Sequence, residues 1–297
     1  MRGLCHHTGV PRVTVIIATY NWSSILAYSI GSVLRQTFTD FELLVVGDGC
    51  TDDSEQVVQA IGDPRIQWVN LPENTRHQSG PNNEALRRAR GECIAYLGHD
   101  DLWLPHHLEV MLGALDKTQS DVAYALTLNV AADGEYVWPT VPSPSAGMFG
   151  SPLGIVHRKR VTDEIGGWRY YRELKVTPDV ELWQRMHAAG YKFTFVPRLT
   201  GVKFPASLRR NVYVTRPSED QARWSARIAA ESDFELTQMA NFIVGPAVPS
   251  GVPYRTLLRT LWRQTVARLR MRRAGVVPLP GLKRSWSIDA VRRFKGL

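Results

Sequence analysis

The sequence lacks the features of a membrane-spanning or disulfide-stabilised protein. No apolar run approaches the roughly 18 residues that indicate a spanning helix. The three cysteines, Cys5, Cys50 and Cys93, are too few for a disulfide framework in 297 residues, and their spacing matches no zinc motif. The first residues also lack an apolar signal core. We therefore expect a cytoplasmic protein that is soluble or peripherally attached to the inner face of the cell membrane.

Positive charge exceeds negative charge. The chain has 36 Lys and Arg against 28 Asp and Glu, a formal net charge of +8. This excess favours an anionic partner, such as nucleic acid, a membrane surface or a phosphorylated substrate. No nucleic-acid recognition motif accompanies the charge, so we expect no nucleic-acid partner. With 44% hydrophobic residues, the chain can build a substantial core.

Strands alternate with helices over the first hundred residues. Val13–Ala18 is a β-branched run without polar alternation and Cys93–Leu97 is an apolar run, which is typical of parallel strands covered on both faces. The alternation predicts an α/β fold with a mostly parallel, doubly wound, Rossmann-like sheet. A turn at Ala132–Gly134 between Leu126–Val130 and Glu135–Trp138 predicts antiparallel additions. Beyond about Phe204 the pattern predicts helices.

Two adjacent carboxylates, Asp100 and Asp101, follow the apolar run at Cys93–Leu97. In a parallel sheet the strand ends meet at one edge, which places Tyr20, Asp48 and Asp100 together. Adjacent acids repel unless they are solvated or bridged, and a divalent cation bound to a phosphate is a common bridge. The alternative is a solvated acidic turn that caps the next helix.

Five stretches, in this order, resemble the motifs of family 2 glycosyltransferases, which have the GT-A fold. They are Val15–Asn21, Ser32–Thr37, Glu42–Ser54, Asn83–Leu86 and Gly91–Asp101, and the resemblance covers about residues 11–200. It implies an inverting glycosyltransferase that moves a sugar from a nucleotide-sugar donor to a hydroxyl of a carbohydrate or lipid-linked acceptor. The donor expected from the family is a UDP-sugar.

The resemblance also implies a nucleobase site. In the family, the ends of the first two strands hold the base, so Tyr20 would stack on it and Ala18 would contact it through the backbone. Asp48 would accept a hydrogen bond from the ring N–H. The alternative is that Tyr20 packs at the entry of a helix and that Asp48 only forms a turn.

The family's DxD signature maps onto Gly98–Asp101, where Gly98 or His99 replaces the first acid. The resemblance implies that His99 and Asp100 contact the donor. It also implies that Asp100 and Asp101 hold Mn²⁺ or Mg²⁺ across the two phosphates. The family's later metal-ligand histidine has no counterpart in Val202–Pro205. A degenerate donor-binding or scaffold module is therefore the alternative function.

A second signature of the family resembles Thr177–Arg185, with Pro178 in place of its first acid. It implies that Asp179 is the general base that deprotonates the acceptor hydroxyl. The alternative is an ordinary helix N-cap. A sugar nucleotidylyltransferase is a rival interpretation, but it would need a glycine-rich basic loop after the first strand, and Ala18–Trp22 is neither.

These assignments divide the chain into three parts. We expect a flexible tail at 1–10, a GT-A catalytic domain at 11–205 and a helical basic region at 206–297. Within the catalytic domain, 11–101 would be the nucleotide-binding half and 102–205 the acceptor half.

The C-terminal region mixes basic and apolar residues. Its predicted helices are Glu219–Phe242, Tyr254–Arg273 and Ser287–Phe294. A basic amphipathic helix with tryptophan can lie on an anionic membrane, which would suit a lipid-linked acceptor. The alternative is that the apolar face packs on the catalytic domain or on a second subunit of a homo-oligomer.

Overall fold

The computed structural model describes residues 9–132, 137–140, 142, 150–244, 292–293 and 295–296. The strands in these ranges are β1 (Val13–Thr19), β2 (Phe41–Gly47), β3 (Ile66–Asn70), β4 (Cys93–Tyr96), β5 (Leu102–Trp103), β6 (Val122–Val130), β7 (Val137–Thr140), β8 (Ile155–Arg158) and β9 (Phe193–Lys203). The helices are α1 (Ser23–Leu34), α2 (Ser54–Ile61), α3 (Ser79–Arg88), α4 (His107–Thr118), α5 (Lys159–Ile165), α6 (Pro178–Ala188), α7 (Val212–Thr215), α8 (Glu219–Ala230) and α9 (Phe234–Val244).

All of these strands form one sheet in the order β3-β2-β1-β4-β8-β6-β9-β5, with β7 beside β6. The strands β1 to β4 pair in parallel, as does β6 with β9. The pairs β4–β8, β6–β8, β6–β7 and β5–β9 are antiparallel. The predicted α/β fold with antiparallel additions is confirmed, although the additions make up half of the pairings.

Both faces of the central strands are covered by helices. Along β1, Val15 and Ile17 pack in the core cluster that contains Leu26 of α1, whereas Ile16 packs in the opposite cluster with Trp183 of α6. Successive residues of a strand point to opposite faces, so a strand buried on both faces is mostly apolar at consecutive positions. The buried polar exceptions, Thr14 of β1 and Glu42 of β2, bond to each other at 2.6 Å.

Several elements differ from their predicted bounds. The sequence predicts one strand at Asp121–Ala125 and another at Leu126–Val130, but the structure has the single strand β6, whose pairing with β9 continues through a register irregularity between Ala125 and Thr127. A strand is predicted at Tyr191–Val196, and the observed β9 extends to Lys203.

The predicted single helix Glu219–Phe242 is two helices, α8 and α9, separated at residues 231–233. Glu231 ends α8 with an extended backbone. The break lets Phe234 pack edge-on against Trp224, with ring centroids 6.0 Å apart. It also lets Glu235 pair with Arg198 at 2.6 Å. Phe234 is buried in this arrangement, 3% exposed, and aromatic burial removes a large apolar area from water.

Several predictions fall outside the described residues. They include most of the N-terminal tail, the helix Tyr254–Arg273 and the tip of the predicted hairpin. The Pro-, Ser- and Gly-rich segment Pro139–Pro152 is predicted to be a loop, and its residues 141 and 143–149 also lie outside the described ranges. Within the described ranges, every helix is too short or too polar to cross a lipid bilayer.

Candidate active site

A cleft lies at the carboxyl ends of β1, β2 and β4, as the parallel topology predicts. All seven residues assigned to the site from the sequence line it: Ala18, Tyr20, Asp48, His99, Asp100, Asp101 and Asp179. The structure therefore brings together side chains that come from both predicted halves of the catalytic domain.

The turn after β1 is fixed to the turn after β2 by Asn21, a residue to which we assigned no role from the sequence. Its side-chain oxygen accepts hydrogen bonds from the backbone N–H of Thr51 at 2.7 Å and of Asp52 at 3.3 Å. Asn21 has a positive φ of 44°, a conformation that asparagine tolerates better than most residues. These bonds hold the backbone beside Tyr20, which is half-buried at the cleft.

Asp48 is buried at the end of β2, with 4% of its surface exposed. Its Oδ1 accepts hydrogen bonds from the backbone N–H of Thr75 at 2.9 Å and from the Thr75 hydroxyl at 2.7 Å. Burial raises the pKa of the Asp48 carboxyl, and the bonds from Thr75 oppose this effect. The carboxylate is therefore held in a fixed orientation before any ligand binds.

His99 is buried beside the end of β1. Its Nδ1 lies 2.9 Å from the Thr19 hydroxyl, and its ring packs edge-on against Trp22. Burial lowers the pKa of His99 to about 4, so the imidazole is neutral near pH 7. It can contribute a hydrogen bond or packing to a ligand, but no positive charge.

Both carboxylate oxygens of Asp101 accept hydrogen bonds from residues at the end of β9. Its Oδ2 pairs with the Lys203 amine at 3.0 Å, and its Oδ1 accepts the backbone N–H of Phe204 at 3.0 Å. Burial raises the pKa of the Asp101 carboxyl, and the positive charge of Lys203 opposes the rise. Asp101 thus contributes to the site through Lys203.

The side chains around Asp100 do not fit a divalent cation held by protein ligands. Gly98 or His99 stands where the first acid of the DxD signature is expected, and both oxygens of Asp101 are engaged. No group of three His, Cys, Asp or Glu side chains suited to a metal occurs in the described part of the chain. A lysine amine beside Asp101 also repels a cation. The metal roles expected for Asp100 and Asp101 therefore stay predictions, and Asp101 is the weaker of the two.

Asp179 lies in the first turn of α6 and lines the cleft. The N-cap of this helix is Thr177, and no side-chain capping bond is formed there. Asp179 is therefore not the N-cap residue of α6, which was the alternative considered for it. Its carboxylate is half-buried and lies on the same cleft as Tyr20 and Asp48.

The position of α6 is fixed by Arg185, the last residue of the signature at Thr177–Arg185. Its guanidinium donates to the backbone carbonyls of Ile165, Gly166 and Gly167 at 2.7 to 2.9 Å. It also pairs with Glu181 at 2.9 Å. An arginine fork can satisfy several acceptors at once, so this side chain anchors the helix that carries Asp179.

Cations also line the cleft, and the sequence pattern gave no indication of this. They are Arg76, Lys203, Arg292 and Lys295. Arg292 lies over the ring of Tyr171 at 5.0 Å and donates to the carbonyl of Arg76. The described end of the basic C-terminal region therefore contacts the cleft. Contacts between positions about two hundred residues apart leave no periodic trace in a sequence.

Comparisons with known proteins agree with this architecture. The model of Glycosyl transferase family 2 matches residues 14–175. EpsE of Bacillus subtilis (strain 168) is 27% identical over 191 residues, which are 61% of this chain and 69% of EpsE. WfgD of Escherichia coli, a UDP-Glc:alpha-D-GlcNAc-diphosphoundecaprenol beta-1,3-glucosyltransferase, is 32% identical over 130 residues. That alignment covers 43% of this chain and 51% of WfgD, so the chain spans about half the length of this relative.

Solved structures share the fold. The mannosyltransferase PcManGT from Pyrobaculum calidifontis, in complex with GDP-Man and Mn²⁺, superposes with a TM-score of 0.56 at 18% identity. The superposition covers 96% of this chain and 88% of PcManGT. At this identity the likeness shows the fold alone, and it confirms the predicted GT-A fold. Because the family model spans more than half of the 297 residues, this chain is a glycosyltransferase that belongs to Glycosyl transferase family 2.

Proposed function

We propose that this protein transfers a sugar from a UDP-sugar to a hydroxyl of an acceptor, with inversion at the anomeric carbon. The observation that carries the proposal is the shared cleft. The cleft is lined by the aromatic ring of Tyr20 and by the buried carboxylate of Asp48, which Thr75 orients. It is also lined by the Asp179 carboxylate on α6. A donor site and a base are the two parts that such a transfer needs.

Tyr20, Ala18 and Asp48 form the proposed nucleobase site. Tyr20 can stack on a base, and the Asp48 carboxylate can accept a charge-assisted hydrogen bond from a ring N–H. The two Thr75 bonds support this role because they fix the carboxylate in advance. The name of WfgD gives UDP-Glc as its donor, which favours uridine here. His99 and Asp100 would contact the donor deeper in the cleft.

Asp179 is the proposed general base. It would take the proton of the acceptor hydroxyl while the acceptor oxygen attacks the anomeric carbon. The bond from that carbon to the donor's phosphate oxygen breaks in the same displacement, so the nucleoside diphosphate leaves. One in-line displacement with one base gives inversion and requires no covalent intermediate.

The divalent cation expected from the sequence has Asp100 as its available carboxylate. In the described ranges no group of three or more His, Cys, Asp or Glu side chains, with or without Asp100, could hold a metal ion. We therefore assign no step of the transfer to the ion. PcManGT is bound to Mn²⁺ together with GDP-Man, and this shows what a protein of this fold can hold.

The acceptor is proposed to be a carbohydrate or a lipid-linked sugar. The name of WfgD describes a diphosphoundecaprenol-linked acceptor, and the sequence of this chain has a basic, tryptophan-containing C-terminal region. Such a region can lie on an anionic membrane. Salt-sensitive co-sedimentation with anionic vesicles, lost on truncation after Gly251, is the expected result. Recovery of the intact protein in the supernatant at low salt would contradict membrane attachment.

The donor proposal is tested by a thermal-shift screen of UDP-, GDP- and ADP-sugars, followed by measurement of released nucleoside diphosphate. A ligand at about 100 times its dissociation constant stabilises a protein by roughly 2.7 kcal/mol. We expect a UDP-sugar to stabilise the protein most and to release UDP when acceptor is present. Stabilisation without any release, over a panel of acceptors, would instead indicate a donor-binding module.

A further inference from the structure

Lys203 is placed beside Asp101 by the pairing of two short strand segments. In the antiparallel pair β5–β9, Leu102 lies opposite Val202. One step along each strand brings Asp101 opposite Lys203, and the amine lies 3.0 Å from the carboxylate. The sheet register therefore fixes the backbone of Lys203 beside that of Asp101.

The two partners differ in their exposure. The Asp101 side chain is 1% exposed, whereas the Lys203 side chain is 29% exposed, and both residues line the cleft. A buried carboxylate needs a counter-charge, and Lys203 provides it. The amine has three N–H donors, so it can bind a second anion while it remains paired with Asp101.

Lys203 carries a positive charge in this environment. Its amine lies 3.0 Å from the Asp101 carboxylate, and a carboxylate at this distance favours the charged form of an amine. Lys203 lines the same cleft as Asp100, Asp101 and Asp179.

A nucleotide-sugar donor brings two phosphates into this cleft, and their negative charge must be balanced. The described side chains do not form a metal cluster, and Asp101 is already committed to Lys203. We infer that Lys203, held in place by Asp101, binds the donor's diphosphate and supplies the positive charge that a divalent cation provides in other enzymes. The inference rests on the proposed function, because it needs a diphosphate-containing donor.

The role would apply to binding and to transfer. When the bond from the anomeric carbon to the phosphate oxygen breaks, the departing diphosphate gains negative charge, and the acceptor's proton moves to Asp179. A fixed ammonium group stabilises the departing charge without having to reorganise. Lys203 would thus be a residue that touches the donor.

The test compares UDP with uridine, because only UDP has the diphosphate. Binding to the full chain is measured by calorimetry in EDTA and again in MnCl₂. The main variant is Asp101→Asn/Lys203→Met, which removes both charges and leaves no buried ion unpaired. The matched control is Asp163→Asn/Lys159→Met, because Lys159 and Asp163 form an ion pair of 2.6 Å on α5 and neither lines the cleft. A third variant, Lys203→Arg, keeps the charge.

We expect the wild type to bind UDP in EDTA within about twofold of its affinity in MnCl₂. The Asp101→Asn/Lys203→Met variant should lose about tenfold or more of its UDP affinity, as expected for a charged hydrogen bond, and should keep its uridine affinity. Lys203→Arg and the α5 control should bind UDP nearly as the wild type does. Thermal unfolding of each variant verifies that the fold is retained.

Two results would overturn the inference alone. One is UDP binding by the wild type that disappears in EDTA, and the other is unchanged UDP affinity in the folded double variant. If the wild type bound none of UDP, GDP and ADP in either buffer, the proposed function itself would be wrong, and the inference with it. The two failures are therefore distinguishable.

Discussion

A β-carbon on Gly98 would lie 2.5 Å from Oδ2 of Asp101, closer than real contacts allow. That oxygen is held by Lys203 at 3.0 Å, so the carboxylate is not free to move aside. Gly98, one of the two positions at which the family signature would have its first acid, can therefore carry a side chain only if Asp101 shifts. The lack of a side chain at position 98 therefore leaves the space that the paired Asp101 carboxylate needs.

Gly98→Ala is expected to destabilise the protein by about 1 to 3 kcal/mol, the usual cost of overpacking a tight site. Urea unfolding measures the change. The matched control is Gly113→Ala in α4, where a β-carbon would meet nothing within 4 Å. That change should be neutral or stabilising by about 0.5 to 1 kcal/mol, since alanine favours helix. Equal stability of Gly98→Ala and wild type would show that Asp101 can move.

Asp48→Asn should weaken UDP binding by about tenfold or more, because a charge-assisted hydrogen bond to the base is lost. Calorimetry with UDP measures it. Thr75→Val removes one of the bonds that orient Asp48 and should have a smaller effect. If Asp48→Asn bound UDP as tightly as the wild type, Asp48 would be a structural turn residue.

Asp179→Asn should reduce turnover by roughly a hundredfold or more and leave donor affinity nearly unchanged, since a general base acts on the transition state. Initial rates of nucleoside diphosphate release and calorimetry separate the two quantities. Asp163→Asn, on α5 and outside the cleft, serves as the control. An unchanged rate combined with weaker donor binding would make Asp179 a binding residue instead.

The free energy of unfolding should fall as the pH falls from about 6.5 towards 4, partly because of His157. Burial lowers the pKa of His157 to about 4 in the folded protein, whereas an unfolded histidine has a pKa of about 6.5. Between these values the unfolded chain binds a proton that the native chain does not, so acid favours unfolding.

His157 faces Tyr96, whose hydroxyl lies 3.3 Å from its Nε2, and its Nδ1 lies 2.9 Å from the carbonyl of Arg158. Both contacts suit a neutral ring. His157→Gln should remove about 2 kcal/mol of the loss between pH 7 and pH 5. Urea unfolding of wild type and variant at both pH values gives the comparison. Identical losses in the two proteins would assign the pH dependence to other groups.

The local parts of this structure were predictable from the sequence. Strands such as β1 and β4 were predicted because burial on both faces demands mostly apolar runs. The sequence predicts a helix from about Asp179 to Ala189, because Leu182 and Met186 give it an apolar face and Gly190 ends it, and Asp179 is therefore expected at its start. The break between α8 and α9 was missed, although Ser232 and Asp233 are residues that often begin a helix.

The partner of Asp101 could not be predicted in this way. Lys203 was considered only as a position without the expected histidine, and its contact depends on the register between β5 and β9. That register is set by tertiary packing, and no local pattern encodes it. The same holds for Arg292, whose contact with Tyr171 joins the end of the chain to its middle.

The pair formed by Asp101 and Lys203 joins positions 102 residues apart, which has a consequence for folding. Contacts distant in sequence form late, because the entropy of closing a long loop must be lost before the contact forms. Until β9 is in place, Asp101 has no counter-charge and cannot be buried at low cost. The end of the cleft at β1 and β2, with Tyr20 and Asp48, can therefore form before the end that carries Lys203 of β9. Docking of β9 would then be the step that completes the cleft.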